Sequence, residues 1–456
     1  MLLQTQPPRQ PLPRLVLAAA SSDSGKTTIT LGLIAALRRR GLKIAASKVG
    51  PDFIDAAHLA RVSGRPARNL DAWLAPETVV ISSFLRGSLE ADLAIVEGVM
   101  GLFDGRHGSG EASTAHLARI LRAPVILVLD CAKASSTIGA IALGLARYDE
   151  RVRVAGAILN RVASERHAST VRDACRKAGV PVFGVIRRDE RLALPSRHLG
   201  LVSPDGETWS SVCEAAADIV EAEVDLDALI AVAQDVPEIL AAPFASAPEA
   251  DVRIAIARDE AFWFYDEASL DALRDAGAEL VPYAPLHDPF PSDVHAVFIG
   301  GGYPESYAAT LETNVSAKDG LHRAIRAGMP AYAECGGLMY LGRTLETSDR
   351  VYSMADVVPA TSIMSQRRSA LRYVEARVLE DGPLFVKDQI VRGHEFHYSR
   401  TSHEHAMPAF ELDGEHEGYR SSDVHASYVH VHLSAHPTAV RTFVSRARAF
   451  AGRRTA

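Results

Sequence analysis

The sequence predicts an α/β protein of two domains, the first of them built around a parallel sheet. At 456 residues the chain is too long for a single hydrophobic core. In its first half, near-continuous apolar runs alternate with helical stretches, which is typical of parallel strands covered on both faces. Around residues 235–251 the alternation stops in a stretch rich in Pro, Ala and Ser, and a new α/β pattern follows.

The apolar runs place the elements in order along the chain. The first predicted helix ends at Gly41, with arginines in its last turn. The predicted strands cover residues 14–19, 92–97, 124–130, 154–160, 252–257, 296–299 and 329–333, and the helix covers 28–40. The N-terminus is polar and Pro-rich and lacks the apolar core of a signal peptide, so we expect a disordered leader. The expected organisation is a leader over 1–12, domains over 13–236 and 251–456, and a linker over 237–250.

Charge and cysteine content exclude several classes of protein. The formal net charge of −7 argues against a nucleic-acid or anionic-membrane partner, because either would require a basic face. No apolar run approaches the roughly 20 residues that span a bilayer. The four cysteines, Cys131, Cys175, Cys213 and Cys335, are far apart and form no CxxC pair. We therefore expect a cytoplasmic protein without a disulfide framework or a zinc site.

A phosphate-binding loop is predicted directly after the first strand. Residues 20–28 read ASSDSGKTT, which meets the pattern GxxxxGK[ST] except that Ala20 stands at the first glycine. The backbone amides of such a loop cradle phosphates at the start of a helix. Lys26 would reach the β- and γ-phosphates, and the Thr27 hydroxyl would sit on Mg²⁺.

Acidic residues follow two further apolar segments. Glu97 ends the predicted strand 92–97 and precedes a glycine, which places it at the carboxyl edge of the sheet, where ligands bind in such folds. Asp52 and Asp55 lie in a segment that we interpret as a loop facing the phosphates. All three could hold Mg²⁺ or orient a substrate, the alternative being helix capping or simple solvation.

Cys335 has the sequence context of a nucleophile. It follows an apolar strand and precedes two glycines and a helix, the layout of a nucleophile elbow that carries sulfur instead of oxygen. The glycines let backbone approach the reacting atom, and the helix N-terminus is expected to favour the thiolate. An oxyanion hole is expected at the glycine-rich turn 300–302, which follows another strand.

A thiol nucleophile requires a nearby base, and histidines near the chain end are the candidates. Residues 426–433 are interpreted as one strand with His430 and His432 on the same face. His394 and His397 form a second dense group, and a metal site formed by the four histidines is the alternative.

Taken in order, these motifs resemble those of the cobyrinic acid a,c-diamide synthases of corrin biosynthesis. The resemblance extends from about residue 13 to the end of the chain. Departures are small: Asp23 replaces a small residue, Phe53 replaces tyrosine, and no proline follows Asp55. The motifs that carry the resemblance are SGKTT at 24–28, GPDFID at 50–55, VEGVMGLFDG at 96–105, LPSRHLGL at 194–201, ECGGL at 334–338 and GHEFHYS at 393–399.

The resemblance implies an N-terminal P-loop domain like that of dethiobiotin synthetase and a C-terminal class I glutamine amidotransferase domain. It implies that Cys335 attacks the glutamine carboxamide, so that a thioester forms and ammonia leaves. His430 is the implied base because Tyr428 stands two residues before it, and His432 is the second choice. The implied oxyanion residues are Gly301, Gly302 and Gly336.

In the first domain, the resemblance implies that ATP phosphorylates a substrate carboxylate, which ammonia then converts to an amide at positions c and a of the macrocycle. Mg²⁺ would be held by Thr27, Asp52 and Glu97, and the acceptor would be met by Asp55 and Asp104. The residues implied for ATP are Ser24, Gly25, Lys26, Thr27, Thr28 and Asn160, the last reading the adenine edge.

Other hypotheses keep or change this chemistry. The acceptor could be hydrogenobyrinic acid, nickel-sirohydrochlorin, or the other carboxylates amidated by cobyric acid synthase. A ParA-like ATPase switch would leave Cys335 unexplained and usually has a second lysine early in the loop, where Ser21 and Ser22 stand. A stand-alone glutaminase would leave the ATP loop unexplained. A homodimer is compatible with the sequence, which has no motif that specifies it.

Overall fold

The structure is a computed structural model that describes residues 11–193, 196–197, 200–201, 207–240, 244, 248–403 and 407–455. The chain divides into two compact units, residues 1–244 and 245–456. This division falls inside the predicted linker, of which 241–243 and 245–247 lie outside the described residues, as does the predicted leader up to residue 10. In the described part of the chain, no helix is long and apolar enough to cross a membrane.

A parallel sheet of seven strands organises the first unit, in the order β3-β2-β4-β1-β5-β6-β7. Its strands are β1 (Arg14–Ala19), β2 (Ile44–Val49), β3 (Arg68–Leu70), β4 (Leu93–Glu97), β5 (Val125–Asp130), β6 (Val154–Val162) and β7 (Val182–Arg187). A separate antiparallel pair is formed by β8 (Ser196–Arg197) and β9 (Gly200–Leu201). The helices are α1 (Lys26–Arg39), α2 (Phe53–Ser63), α3 (Glu77–Gly87), α4 (Thr114–Ile120), α5 (Thr137–Arg147), α6 (Glu165–Lys177), α7 (Glu207–Glu223) and α8 (Leu226–Gln234). Half of the motif at 194–201 lies outside the described residues.

The strand order brings the sequence motifs of the first unit together. Strands β2, β4 and β1 are neighbours, so their carboxyl ends at Val49, Glu97 and Ala19 meet at one edge of the sheet. All three strands are buried along their length, which explains why most of their side chains are apolar. The first helix begins at Lys26, two residues before the predicted start, because Gly25 takes the left-handed turn (φ +84°) that ends the loop.

The second unit contains a six-stranded sheet in the order β12-β10-β13-β15-β25-β24, parallel except for its last pair, together with a mixed four-stranded sheet and antiparallel sheets. The strands of the main sheet are β10 (Val252–Ala257), β12 (Ala278–Tyr283), β13 (Ala296–Ile299), β15 (Ala331–Glu334), β24 (Tyr419–Arg420) and β25 (Val424–Ser427). The other strands are β11 (Phe262–Phe264), β14 (Gly301–Gly302), β16 (Thr344–Glu346), β17 (Val351–Ser353), β18 (Ala360–Met364), β19 (Ala370–Val378), β20 (Ile390–His397), β21 (Ser399–His403), β22 (Phe410–Leu412), β23 (Glu415–Glu417) and β26 (His430–Val431). The helices are α9 (Glu267–Asp275), α10 (Ala308–Thr313), α11 (Val315–Arg326), α12 (Gly336–Leu341) and α13 (Pro437–Thr455). The predicted α/β fold class is confirmed in both units.

The predicted single strand over residues 426–433 is wrong. The chain leaves the main sheet after Ser427 and joins the five-stranded sheet β23-β22-β19-β20-β26 at His430. At the break, the Tyr428 amide donates to the carboxylate of the half-buried Glu417 (2.7 Å). His432 lies beyond the strand and precedes a 3₁₀ turn.

Candidate active sites

The phosphate loop of the first unit is held by a side chain from another strand. Asn160, in β6, donates from Nδ2 to the Ser24 carbonyl (3.0 Å), and its Oδ1 accepts from the Arg161 amide (2.9 Å). A Cβ at Gly25 would lie 2.3 Å from Asn160 Nδ2, so both the close approach and the positive φ require glycine there. Both polar groups of the Asn160 side chain therefore contact protein, and its predicted role at the adenine edge stays a prediction.

Lys26 points from the start of α1 to the turn after β4. Its Nζ donates to the Met100 carbonyl (2.9 Å), and the residue is 7% exposed. Burial, and then the charge of Lys48, lower the pKa of Lys26 below its ordinary value. A partly desolvated ammonium at the end of a phosphate loop is suited to binding a phosphate anion, because the negative charge of the phosphate compensates for the loss of hydration.

A buried lysine that the sequence analysis missed links the acids of this site. Lys48 Nζ donates to Asp55 Oδ2 (2.5 Å) and to Glu97 Oε1 (2.9 Å), and its side chain is 3% exposed. Burial alone would lower the pKa of Lys48, but the Asp55 and Glu97 carboxylates raise it above its ordinary value. The signal in the sequence was a lysine inside a mostly apolar buried strand, two residues before Gly50.

Glu97 is fully buried where β4 ends, and one of its oxygens already has two partners. Oε1 accepts from Thr27 Oγ1 (2.7 Å) and from Lys48, whereas Oε2 is buried with no hydrogen-bond partner among the described residues. Burial and then the Asp55 charge raise the pKa of Glu97, while Lys48 opposes the rise. The hydroxyl of Thr27 and the Glu97 carboxylate, whose Oε2 has no partner among the described residues, are oxygen ligands that fit a hard cation such as Mg²⁺.

The metal site would need oxygens from the nucleotide or from water as well. Within the described residues, no group of three or more His, Cys, Asp or Glu side chains is arranged to hold a metal ion. Asp52 caps α2, accepting from the Asp55 amide (2.9 Å), so residues 52–55 begin a helix and are not the loop that we predicted. Burial and the neighbouring Asp55 charge raise the pKa of Asp52.

Asp104 stabilises the turn that follows β4. Its Oδ2 accepts from the Gly101 amide (2.8 Å), and the side chain is exposed. Met100, which directly precedes Gly101, takes a left-handed conformation (φ +47°). The turn is therefore tight, and the Asp104 side chain stabilises it. Its predicted contact with the acceptor stays a prediction.

In the second unit, Cys335 occupies the sharp bend that the sequence predicts. It joins β15 to α12 with φ +48° and ψ −105°, a conformation that is unfavourable for a residue with a Cβ. The bend is anchored because the Cys335 amide donates to the Ser427 carbonyl of the neighbouring strand (2.7 Å). The residue is 5% exposed, and its sulfur lies 3.8 Å from the Phe396 carbonyl oxygen.

The expected preference for the thiolate is reversed in this structure. Burial raises the pKa of the Cys335 thiol above its ordinary value, and the Glu305 carboxylate raises it further. Glu334 and Glu395 act in the same direction, while the Gly336 amide at the start of α12 opposes them. Desolvation and three carboxylates therefore outweigh the short helix, which the local sequence could not indicate.

His430 lies between Glu334 and the glycine turn. Its Nδ1 is 3.3 Å from Glu334 Oε2, and the other oxygen of Glu334 accepts from Tyr332 Oη (2.5 Å) and the Val431 amide (2.9 Å). A Cβ at Gly301 would lie 2.6 Å from His430 Cε1 and 3.2 Å from Nε2, so the far edge of the ring faces the turn. Glu334 is a second functional candidate that the sequence analysis missed, although it directly precedes Cys335.

The other histidines have different partners. His432 Nδ1 is 3.9 Å from Asp266 Oδ2, the carboxylate that caps α9. The rings of His394 and His430 stack (4.9 Å between centroids), and His397 stacks on Tyr428. Since no metal-holding group occurs in the described part of this unit, the alternative of a histidine metal site is wrong there.

The glycine turn and the thiol helix are in direct contact. A Cβ at Gly336 would lie 2.9 Å from Pro304 Cδ and 3.1 Å from the Gly302 nitrogen. Gly301 and Gly302 form β14, paired with β11, and are not a free turn, while the Gly300 amide donates to Tyr265 Oη (2.9 Å). The predicted oxyanion residues are thus brought to one place, and their role stays a prediction.

Each of the two units matches a known protein family. Residues 15–202 match the CobQ/CobB/MinD/ParA nucleotide binding domain family, and residues 253–438 match the CobB/CobQ-like glutamine amidotransferase domain family. The chain is 44% identical to the cobyrinate a,c-diamide synthase of Syntrophotalea carbinolica, and the match covers 96% of this chain and 99% of that protein. It is also 40% identical to the hydrogenobyrinate a,c-diamide synthase of Streptomyces coelicolor, and this match covers 96% of this chain and 98% of that protein.

Proposed function

The chain belongs to the cobyrinate a,c-diamide synthase family, and on that premise we propose how its two sites divide the reaction. It is a glutamine-hydrolysing amidating ligase of cobalamin biosynthesis with a nucleotide-binding domain. The proposed reaction converts the c and a carboxylates of cobyrinic acid, or of its cobalt-free counterpart, to amides. The observation that carries the proposal is that one chain holds both a thiol at a strained strand–helix bend and a phosphate loop backed by buried acids.

Glutamine is hydrolysed in the second unit. The Cys335 sulfur attacks the carboxamide carbon, the carbon–nitrogen bond breaks, and a thioester forms while ammonia leaves. His430 accepts the thiol proton and delivers it to the departing nitrogen, and Glu334 holds the His430 ring in place from 3.3 Å. Water then releases glutamate from the thioester. Backbone amides near Gly302 and Gly336 stabilise the oxyanion.

The acceptor carboxylate is activated in the first unit. A carboxylate oxygen attacks the γ-phosphorus of ATP, ADP leaves, and an acyl phosphate forms. Ammonia attacks the acyl carbon, loses a proton and displaces phosphate to give the amide. Lys26 binds the transferred phosphoryl group and neutralises its charge, and Lys48 fixes the carboxylates of Asp55 and Glu97 beside it.

Thr27 and Glu97 would hold Mg²⁺, since the orphaned Glu97 oxygen lies at the end of β4 beside the Thr27 hydroxyl. When bound, the ion offsets the negative charge of the phosphate oxygens. Asp52 and Asp55 contribute from the start of α2, Asp52 to the cation and Asp55 to the acceptor, as the sequence resemblance implies.

Mass spectrometry of the products tests this proposal. The protein is incubated with ATP, Mg²⁺ and glutamine, in parallel with cobyrinic acid and hydrogenobyrinic acid. Two successive amidations of one acid are expected. Glutamine hydrolysis without amidation of either acid would overturn the proposed acceptor, and nickel-sirohydrochlorin would be tried next.

Cys335→Ser separates the two sites. The variant is expected to lose glutamine-dependent amidation because the serine hydroxyl is a far weaker nucleophile, while free ammonium supports the reaction at the wild-type rate. Cys131→Ser, at a buried cysteine of the first unit, is the matched control for glutamine use. A Cys335→Ser protein that fails with ammonium although it is folded would contradict the division into two sites.

A further inference from the structure

Glu305 lies next to the thiol site without a role in the reaction described so far. It follows the glycine turn in the 3₁₀ turn Pro304–Tyr307, and its neighbour Pro304 comes within 2.9 Å of where a Cβ on Gly336 would lie. Gly336 follows Cys335 directly, so this turn packs on the residue after the nucleophile. Glu305 itself is half-buried.

The carboxylates around Cys335 differ in how they are paired. Glu334 contacts Tyr332, the Val431 amide and His430, and Glu395 forms an ion pair with Arg372 (2.7 Å). Among the described residues, the Glu305 carboxylate has no ion-pair partner and hydrogen-bonds only its own amide. Burial raises the pKa of Glu305 to about 7, the consequence expected of a carboxylate held in a cleft without a cation.

An unpaired carboxylate near Cys335 disfavours the thiolate that attacks glutamine, unless a cation binds to that carboxylate. The charged groups that act on the Cys335 thiol are Glu305, Glu334 from β15 and Glu395 from β20, and the titratable Tyr428 hydroxyl also interacts with it. Among the charges, Glu305 contributes most to raising the pKa of the thiol. A cation at Glu305 would remove that contribution and favour the thiolate.

We propose that Glu305 binds the α-ammonium group of glutamine and thereby selects this substrate. The proposal rests on the glutaminase role of Cys335 given above. In extended glutamine, the α-carbon is roughly 4 Å from the carboxamide carbon, so a carboxylate in the turn next to the thiol can meet the ammonium group. An ammonium–carboxylate contact is charge-assisted and directional. Glutamine therefore supplies the missing cation at the moment when its carboxamide reaches the sulfur, which joins recognition to activation of the nucleophile.

Glu305→Gln tests the proposal in the full-length protein with ATP, Mg²⁺ and the acceptor acid present. We expect the KM for glutamine to rise about tenfold to a hundredfold, because a charge-assisted contact is lost. Glutaramic acid, which lacks the α-ammonium group, is the discriminating substrate. The wild-type preference for glutamine over glutaramic acid should fall by a similar factor in the variant. Glu346→Gln, at an exposed glutamate of the same unit, should leave both values unchanged.

The reactivity of the thiol gives a second, independent measurement. Without glutamine, the rate of Cys335 alkylation by iodoacetamide, followed on its peptide, should reach half its maximum at lower pH in Glu305→Gln than in the wild type. A purely structural role would not make the thiol more reactive. Unchanged KM and unchanged glutaramic acid discrimination would overturn the proposal, even if the alkylation profile moved. If Cys335→Ser still hydrolysed glutamine, the proposed glutaminase role itself would fail, which is a different outcome.

Discussion

Replacing Lys48 with methionine tests whether this lysine holds the acids of the nucleotide site together. Methionine keeps most of the length and the apolar stem of lysine but removes the charge. In the wild type, Lys48 contacts Asp55 and Glu97 at 2.5 and 2.9 Å, and its side chain is 3% exposed. The substitution leaves two adjacent carboxyl groups without their common cation.

The expected loss of stability is about 3 kcal/mol. Removing one partner of a buried ion pair typically costs about 3–5 kcal/mol, because the remaining charge stays desolvated. The lower end applies here because the Asp55 side chain is 14% exposed and water can solvate part of its charge. For a unit of this size, that loss corresponds to a fall in melting temperature of about 6–12 °C.

The loss should depend on pH in a defined direction. Although burial opposes it, the Lys48 charge holds the pKa of Asp55 below its ordinary value. That contribution to stability is present above the ordinary pKa of aspartate, about 4, and is lost as the pH falls through the lowered value. Without Lys48 the carboxyls take up protons more easily. The difference between wild type and variant should therefore be largest near pH 8 and smallest near pH 4.

Calorimetry of wild type and Lys48→Met across this pH range measures the difference. Lys43→Met, at an exposed lysine shortly before the same strand, is the control and should have little effect. An equal loss of stability at both ends of the pH range would refute the reasoning, since it would mean that packing and not charge pairing is what Lys48 supplies. No loss at all would show that the carboxylates are solvated without it.

Two further changes test the sites directly. Glu334→Gln should lower kcat for glutamine hydrolysis about a hundredfold with little change in KM, because His430 loses the carboxylate that orients it; an unchanged kcat would contradict this role. Glu97→Gln should raise the Mg²⁺ concentration for half-maximal ATP-dependent amidation at least about tenfold, measured by titration of the ion. An unchanged titration would remove Glu97 from the cation site.

Local patterns in the sequence were sufficient for the fold class and for the positions of the loop and the thiol. Strand β1 coincides with its predicted bounds because, after Arg14, this buried parallel strand is apolar to its end. The bend at Cys335 follows from two glycines between a strand and a helix. Both features depend on residues that are adjacent in the chain.

Features that depend on distant residues could not be predicted in this way. Lys48 resembles an ordinary strand residue until Asp55 and Glu97 are folded against it. The pKa of Cys335 is set by burial and by carboxylates from three separate segments, so the local preference for a thiolate was misleading. The break before His430 involves the half-buried Glu417, eleven residues before Tyr428 in the chain.

The bond from Asn160 to the phosphate loop bears on the thermodynamics of nucleotide binding. Asn160 reaches the loop from β6, two positions away from β1 in the sheet, and fixes the Ser24 carbonyl. Because the protein's own contacts set the loop conformation, its backbone entropy is lost during folding and not during binding. Affinity for phosphate groups is then limited by their desolvation and not by the ordering of the loop.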